Sequence, residues 1–173
     1  MRVIVAYESM YGNTHQVASA IASGFGSTDD VTVVAVSELG NNPAADVLVV
    51  GMPTHAHGLP RPASRRAAIQ GAHSANEDLP VDPAADGSGV REWLQTVPDG
   101  VASSVATFDT RFRAPAWLVG HPARRVLRHL AKAGAHRLTR AESFYVDKSE
   151  HLRPGELERA KQWGSNLREY AIR

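Results

Sequence analysis

An open, doubly wound α/β sheet is the fold this sequence predicts, and three observations predict it. Short runs of β-branched and apolar residues are nearly continuous rather than alternating, as in strands buried on both faces of a parallel sheet covered by helices. Between them lie stretches whose apolar residues recur at helical spacing. The two kinds of segment alternate along 173 residues, enough chain to bury a core without disulfides.

The first strand is expected at VIVAY, residues 3 to 7. A helix from Asn13 to Phe25 follows, turning Val17, Ala18, Ile21 and Phe25 to one side and stopping at Gly24-x-Gly26. The second strand, VTVVAV at 31 to 36, is joined to the third, DVLVVGM at 46 to 52, by SELGNNPAA alone. A parallel crossover normally takes about a dozen residues or more, so the second helix is expected to be short or missing. Residues 58 to 89 then form a long loop or insertion rich in Pro, Gly, Ala, Ser and Asp, with a helical piece expected around Pro62 to Ala72. Val90 to Val97 reads as a helix after Ser88-Gly89, and VASSVATFD at 101 to 109 as the fourth strand. The next helix, Ala123 to Ala133, starts behind Pro122, buries Val126, Leu127 and Leu130, and ends at Gly134. AESFYV at 141 to 146 is a weaker fifth strand. Beyond Pro154 a last helix sets Leu157, Ala160, Gly164, Leu167 and Ala171 on one stripe. The chain, 1–173, reads as one domain without internal repeats.

Composition narrows the function. A 43% hydrophobic and 21% charged chain is ordinary for a globular protein, and no apolar run approaches the roughly 18 residues a bilayer span needs. The apolar run from Val3 to Tyr7 is too short for a signal-peptide core, so a cytoplasmic location is expected. With no cysteine, thiol redox chemistry is excluded, and any electron transfer has to run through a bound cofactor. A net charge of +1 and a pI near 8.2 fall short of a nucleic-acid binder.

Ligands of open α/β sheets bind beyond the carboxyl ends of the strands, where strand order reverses. The loop after the first strand is SMYGNT, Ser9 to Thr14. Gly12 allows close backbone approach, Asn13 and Thr14 open a helix, and the hydroxyls of Ser9 and Thr14 add donors. This set suits an anion; the structural alternative is a tight turn with a good helix cap. The loop lacks the Gly-Lys-Ser/Thr of a triphosphate site and the Gly-x-Gly-x-x-Gly of a dinucleotide site. Glu8 and Met52 do not supply a receiver's acidic positions, and no Gly-x-Ser-x-Gly elbow is present. His55-x-His57 invites a metal, but Leu59 and Pro60 stand where a further aspartate and histidine would be needed. The basic face of the fourth helix, Arg124, Arg125, Arg128 and Lys132, reads as a solvated surface.

SMYGNT, after a strand and before a helix, resembles the phosphate loop of flavodoxins and related FMN-binding proteins, usually Ser/Thr-x-Thr-Gly-x-Thr, with Tyr11 replacing the middle threonine. Flavodoxin is itself the standard example of a five-stranded parallel sheet in the order 2-1-3-4-5 with FMN at the switch point, and the resemblance implies that flavodoxin-like sheet here. It implies that Ser9, Met10, Tyr11, Gly12, Asn13 and Thr14 hold the phosphate. On the same footing Pro53, Thr54, His55, Ala56, His57 and Gly58 would meet one side of the isoalloxazine ring, and Phe108, Asp109, Thr110, Arg111 and Phe112 would border the other. Flavodoxins commonly place a stacking tyrosine after the aspartate; here Phe108, Phe112 or Trp117 stands in, or packs as core or lid. The Gly-x-Pro-Thr at 51 to 54 is closer to the quinone-reductase branch, and a guanidinium from Arg111 or Arg113 near the flavin would favour two-electron chemistry. The resemblance thus implies an FMN-binding redox protein, transferring electrons or reducing a quinone or other small molecule, with catalysis belonging to the flavin. Its partner would be a redox protein or a small-molecule acceptor, not nucleic acid or a membrane, and a homodimer is left open. The alternative is a flavodoxin-fold protein that has lost FMN and acts as a binding or regulatory module.

Overall fold

In the computed structural model, which describes residues 1–54, 58–74, 79–114 and 120–173 and leaves aside the side chains of 73 and 74, the apolar runs become strands of one parallel sheet. The strands are β1 (Arg2–Tyr7), β2 (Asp30–Ala35), β3 (Ala45–Pro53), β4 (Ala102–Phe112), β5 (His136–Arg137) and β6 (Glu142–Val146). The helices are α1 (Asn13–Ser23), α2 (Pro62–Ser74), α3 (Val90–Trp93), α4 (Pro122–Lys132) and α5 (Glu156–Ala171). Strand order is β2-β1-β3-β4, and the far edge of β4 is shared end to end by two pieces. β5 pairs with Ser104 and Val105, and β6 with Phe108 to Phe112. The predicted 2-1-3-4-5 order therefore holds, its last place filled by β5 and β6 together.

Period-two alternation divides the apolar residues between the two faces. Val3, Val5, Tyr7, Val47, Val49 and Phe108 lie under α1 and α5, whereas Ile4, Ala6, Leu48, Val50 and Met52 lie under α3 and α4. As expected, the β2 to β3 crossover holds no α-helix, only a 3-10 turn at Val36–Glu38. Trp93 packs over the gap, with its indole N–H donating to the Gly40 carbonyl at 3.0 Å. The predicted helix from Val90 stops at Trp93 and runs on as turns to Val97, because Pro98 restrains the residue before it. No helix among the described residues is long and apolar enough to cross a membrane.

α1 and α5 pack unusually closely. A Cβ added at Gly164 would fall well inside contact distance of the Ile21 carbonyl oxygen, and one at Gly24 would meet the Lys161 carbonyl. Ser165 Oγ donates to the Gly24 carbonyl at 2.9 Å, and Arg168 holds Asp29 at 2.7 Å. This contact positions the helix whose first turn borders the site.

Candidate functional site

β1, β3 and β4 end side by side, with Tyr7 opposite Gly51 and Pro53 opposite Thr110, so the loops that follow them converge. Gly12 takes φ +80° and its carbonyl receives the Gln16 N–H at 2.9 Å, starting α1. That left-handed turn suits glycine. No side chain among the described residues caps the helix, so the N–H groups of its first turn face outward without an intrahelical partner. Before them lies a cleft of about 220 Å³.

Hydroxyls dominate the walls. Thr14 Oγ1 and Thr110 Oγ1 are 2.8 Å apart in a buried pair, which uses one O–H and leaves the other to donate elsewhere. Ser9 Oγ and Thr54 Oγ1 are buried with no hydrogen-bond partner among the described residues, although Ser9 is only 2% exposed. A buried hydroxyl left unpaired costs about 1–3 kcal/mol, so two beside one cleft suit a polar ligand. Asn13 Nδ2 donates to the Glu150 carbonyl at 2.5 Å, and Tyr11 Oη donates to the Ala68 carbonyl of α2 at 3.0 Å. Burial, and then Asp147, push the Glu150 carboxyl above the ordinary carboxylate range.

The predicted residues divide. Ser9, Met10, Tyr11, Asn13, Thr14, Pro53, Thr54, Thr110, Arg111 and Phe112 all line the cleft, and Gly12 shapes its turn. Gly58 is half-buried outside the lining, and His55, Ala56, His57 and Trp117 lie outside the described residues. Phe108 is corrected from ring neighbour to core. It is fully buried under α5, edge-on to Phe144 and Trp163, because even-numbered β4 residues at that depth face the α1/α5 layer. Asp109 is likewise a buried hub rather than a cleft residue. Its carboxylate pairs with His121 Nδ1 at 2.7 Å, and accepts from Ser143 Oγ at 2.7 Å and the Ala123 N–H at 3.3 Å, tying α4 and β6 to β4. Arg111 Nε lies 3.6 Å from Asp109 and donates to Ser143 Oγ at 3.1 Å, so its charge is balanced within the fold. Arg113 stands 6.0 Å from the Tyr145 ring centre. The cleft also takes in Val146 and Glu150, which the sequence reading passed over. Both stand at the carboxyl end of a strand, as the other loops do: Val146 closes β6 and Glu150 follows it.

Glu8, at the mouth of the same loop, accepts the Val90 N–H at 2.9 Å and lies 3.5 Å from Arg65 of α2, which is 3.0 Å from Glu92. Burial pushes its carboxyl up to about 7, against the lowering pull of the Val90 N–H and of Arg65. The folded state then binds this proton more tightly than the unfolded state, whose carboxyl titrates near 4.5. Its stabilising contribution is full below about 4.5 and is lost as pH rises through about 7. Urea midpoints measured between pH 5 and 8 are expected to fall more steeply for the native chain than for Glu8→Gln; equal slopes would exclude Glu8 as the titrating group.

A family model described as Flavodoxin matches residues 5–96, just over half of the chain. No curated protein matches it. Among solved structures, a flavodoxin from the domain Archaea superposes with a TM-score of 0.65 at 17% identity, over 100% of both chains. Oxidised flavodoxin 1 from Bacillus cereus gives 0.63 at 14% identity, over 98% of each chain. A flavodoxin, WrbA-like protein from Agrobacterium tumefaciens gives 0.61 at 19% identity, over 99% of this chain and 97% of that one. At such identities the structural likeness is one of fold.

Proposed function

The chain belongs to the flavodoxin family, and on that premise we propose that it is an FMN-dependent redox protein whose cofactor phosphate is held at Ser9 to Thr14. The observation that carries this reading is the pair of buried hydroxyls without a partner among the described residues, Ser9 Oγ and Thr54 Oγ1, beside the start of α1. Hydroxyls and helix N–H groups hold a phosphate monoester without a counter-charge, which is how a loop lacking lysine and arginine suits FMN and not a triphosphate. When bound, FMN supplies the transfer of one or two electrons, chemistry this cysteine-free chain has no side chain to perform.

The chain's own residues bind and orient. Ser9, Thr54 and whichever of Thr14 and Thr110 keeps a free O–H donate to the ligand, while Asn13 is steadied by the Glu150 carbonyl. Phe112, 41% exposed, and Tyr11, whose hydroxyl is tied to Ala68, both line the cleft and are the described aromatics available to flank a ring. Arg111, balanced by Asp109, adds less positive field than a free guanidinium and stiffens the wall instead. Electrons would pass to a redox partner protein or to a quinone or other small-molecule acceptor, as the Gly-Met-Pro-Thr opening at 51 to 54 suggests.

Flavin absorbance of the purified chain, and quenching of FMN fluorescence on titration with apoprotein, are the expected results. Failure to bind FMN at micromolar concentration would sink this reading in favour of a flavodoxin-fold binding module.

A further inference from the structure

Charge is segregated along this chain. Eight of its 19 lysines and arginines, and none of its 18 acidic residues, fall in 110 to 141, so that segment carries +8 formally and the remainder −7. The near-neutral net charge conceals this polarity. In the fold, α4 and the β5–β6 connection bring Arg124, Arg128, Arg137 and Arg140 around one groove, with Leu127 and Ala141 in its walls. All four arginines are exposed, and none forms an ion pair with a carboxylate among the described residues. Glu142, the acid in the groove's wall, is engaged by Arg159 at 2.6 Å. Arg124 and Arg128 stand four apart on one helix, a like-charge spacing that disfavours α4 in isolation.

We propose that this arginine groove is the docking surface for an acidic protein partner. Because the start of α4 is tied to the last part of β4 by the Ala123 N–H and His121 on Asp109, Arg124 in its first turn lies toward the end of the sheet where the cleft opens. A partner seated along the groove is thereby brought to the cleft's side of the molecule. Three features select a protein over nucleic acid. Among the described residues, no aromatic side chain lines the groove to stack a base. Its apolar walls suit an interface with a dry centre and a charged rim. A long polyanion running past the groove meets the −7 of the remaining chain, whereas a compact acidic patch meets the four arginines, with Glu142 already engaged by Arg159. Such complementarity acts chiefly on encounter rate and orientation. That the partner exchanges electrons rests on the proposed redox function; the docking surface does not, and its test needs no FMN.

The ¹⁵N-labelled full-length apoprotein is titrated at low salt with an oligoglutamate peptide, and in parallel with an oligothymidylate of equal charge and with phosphatidylglycerol vesicles. Amide shifts confined to 124–141 are expected with the peptide, with affinity falling steeply as salt is added. The combined variant Arg124→Ser, Arg128→Ser, Arg137→Ser, Arg140→Ser should lose at least about tenfold in peptide affinity. Arg61→Ser with Arg66→Ser, exposed on and before α2, should lose nothing. All four groove positions being exposed, an unchanged amide spectrum elsewhere certifies the fold. Peptide binding that survives the fourfold substitution, or maps away from the groove, overturns the proposal, as does tighter binding of the oligonucleotide or the vesicles.

Discussion

Replacing Ser9 by alanine is expected to strengthen the ligand-free protein and weaken its hold on FMN. The two effects share one cause. Ser9 Oγ is buried without a partner among the described residues, so the apoprotein carries a desolvated hydroxyl that earns no hydrogen bond. Alanine removes that cost, and the urea-derived stability should rise by up to about 1 kcal/mol. A phosphate accepting the same O–H supplies the missing bond, and losing a charge-assisted hydrogen bond costs about 1–3 kcal/mol, a roughly 5- to 150-fold rise in the FMN Kd. Opposite signs on the two measurements are what a purely structural serine does not produce. A variant that loses stability while keeping FMN affinity would remove Ser9 from the site.

Gly164→Ala is expected to cost about 3 kcal/mol, a large share of the total stability of a domain this size. The clash is with backbone, the Ile21 carbonyl, so no side-chain rotation relieves it. α1 and α5 must part, loosening the packing of Val17, Ile21, Ala160 and Leu167 and the Ser165 to Gly24 hydrogen bond. Because α1 carries the cleft's loop at its amino end, FMN affinity should fall with stability. Denaturation curves for the native and Gly164→Ala chains settle the first point, and FMN titration the second. A midpoint unchanged in Gly164→Ala would mean that the helices separate freely.

Much of this was legible in residue patterns, because strand and helix periodicity are local properties. The runs at 3 to 7, 31 to 36, 46 to 52, 101 to 109 and 141 to 146 all became strands, and the nine-residue gap after the second foretold its helixless crossover. SMYGNT was recognisable because a turn glycine followed by a helix start is read within six residues. Phe108 was not resolvable, since a core aromatic and a ring-stacking one look alike until the face of β4 they occupy is known. The basic face of α4 is exposed as expected, but that Arg137 and Arg140 join it was not resolvable either, because strand pairing at the sheet's edge brings them there.

The sequence by itself thus determined the doubly wound sheet, the glycine turn and helix start of its first loop and the segregation of charge into 110 to 141. Tertiary structure alone decided which hydroxyls find no partner among the described residues, that Thr14 meets Thr110 across 96 residues, that Asp109 turns inward to His121 and Ser143, and that Glu8 is buried beside Arg65. Each of these depends on register between strands distant in the chain. A one-residue slip of β4 would send Asp109 to the opposite face, so no local pattern specifies what its carboxylate touches.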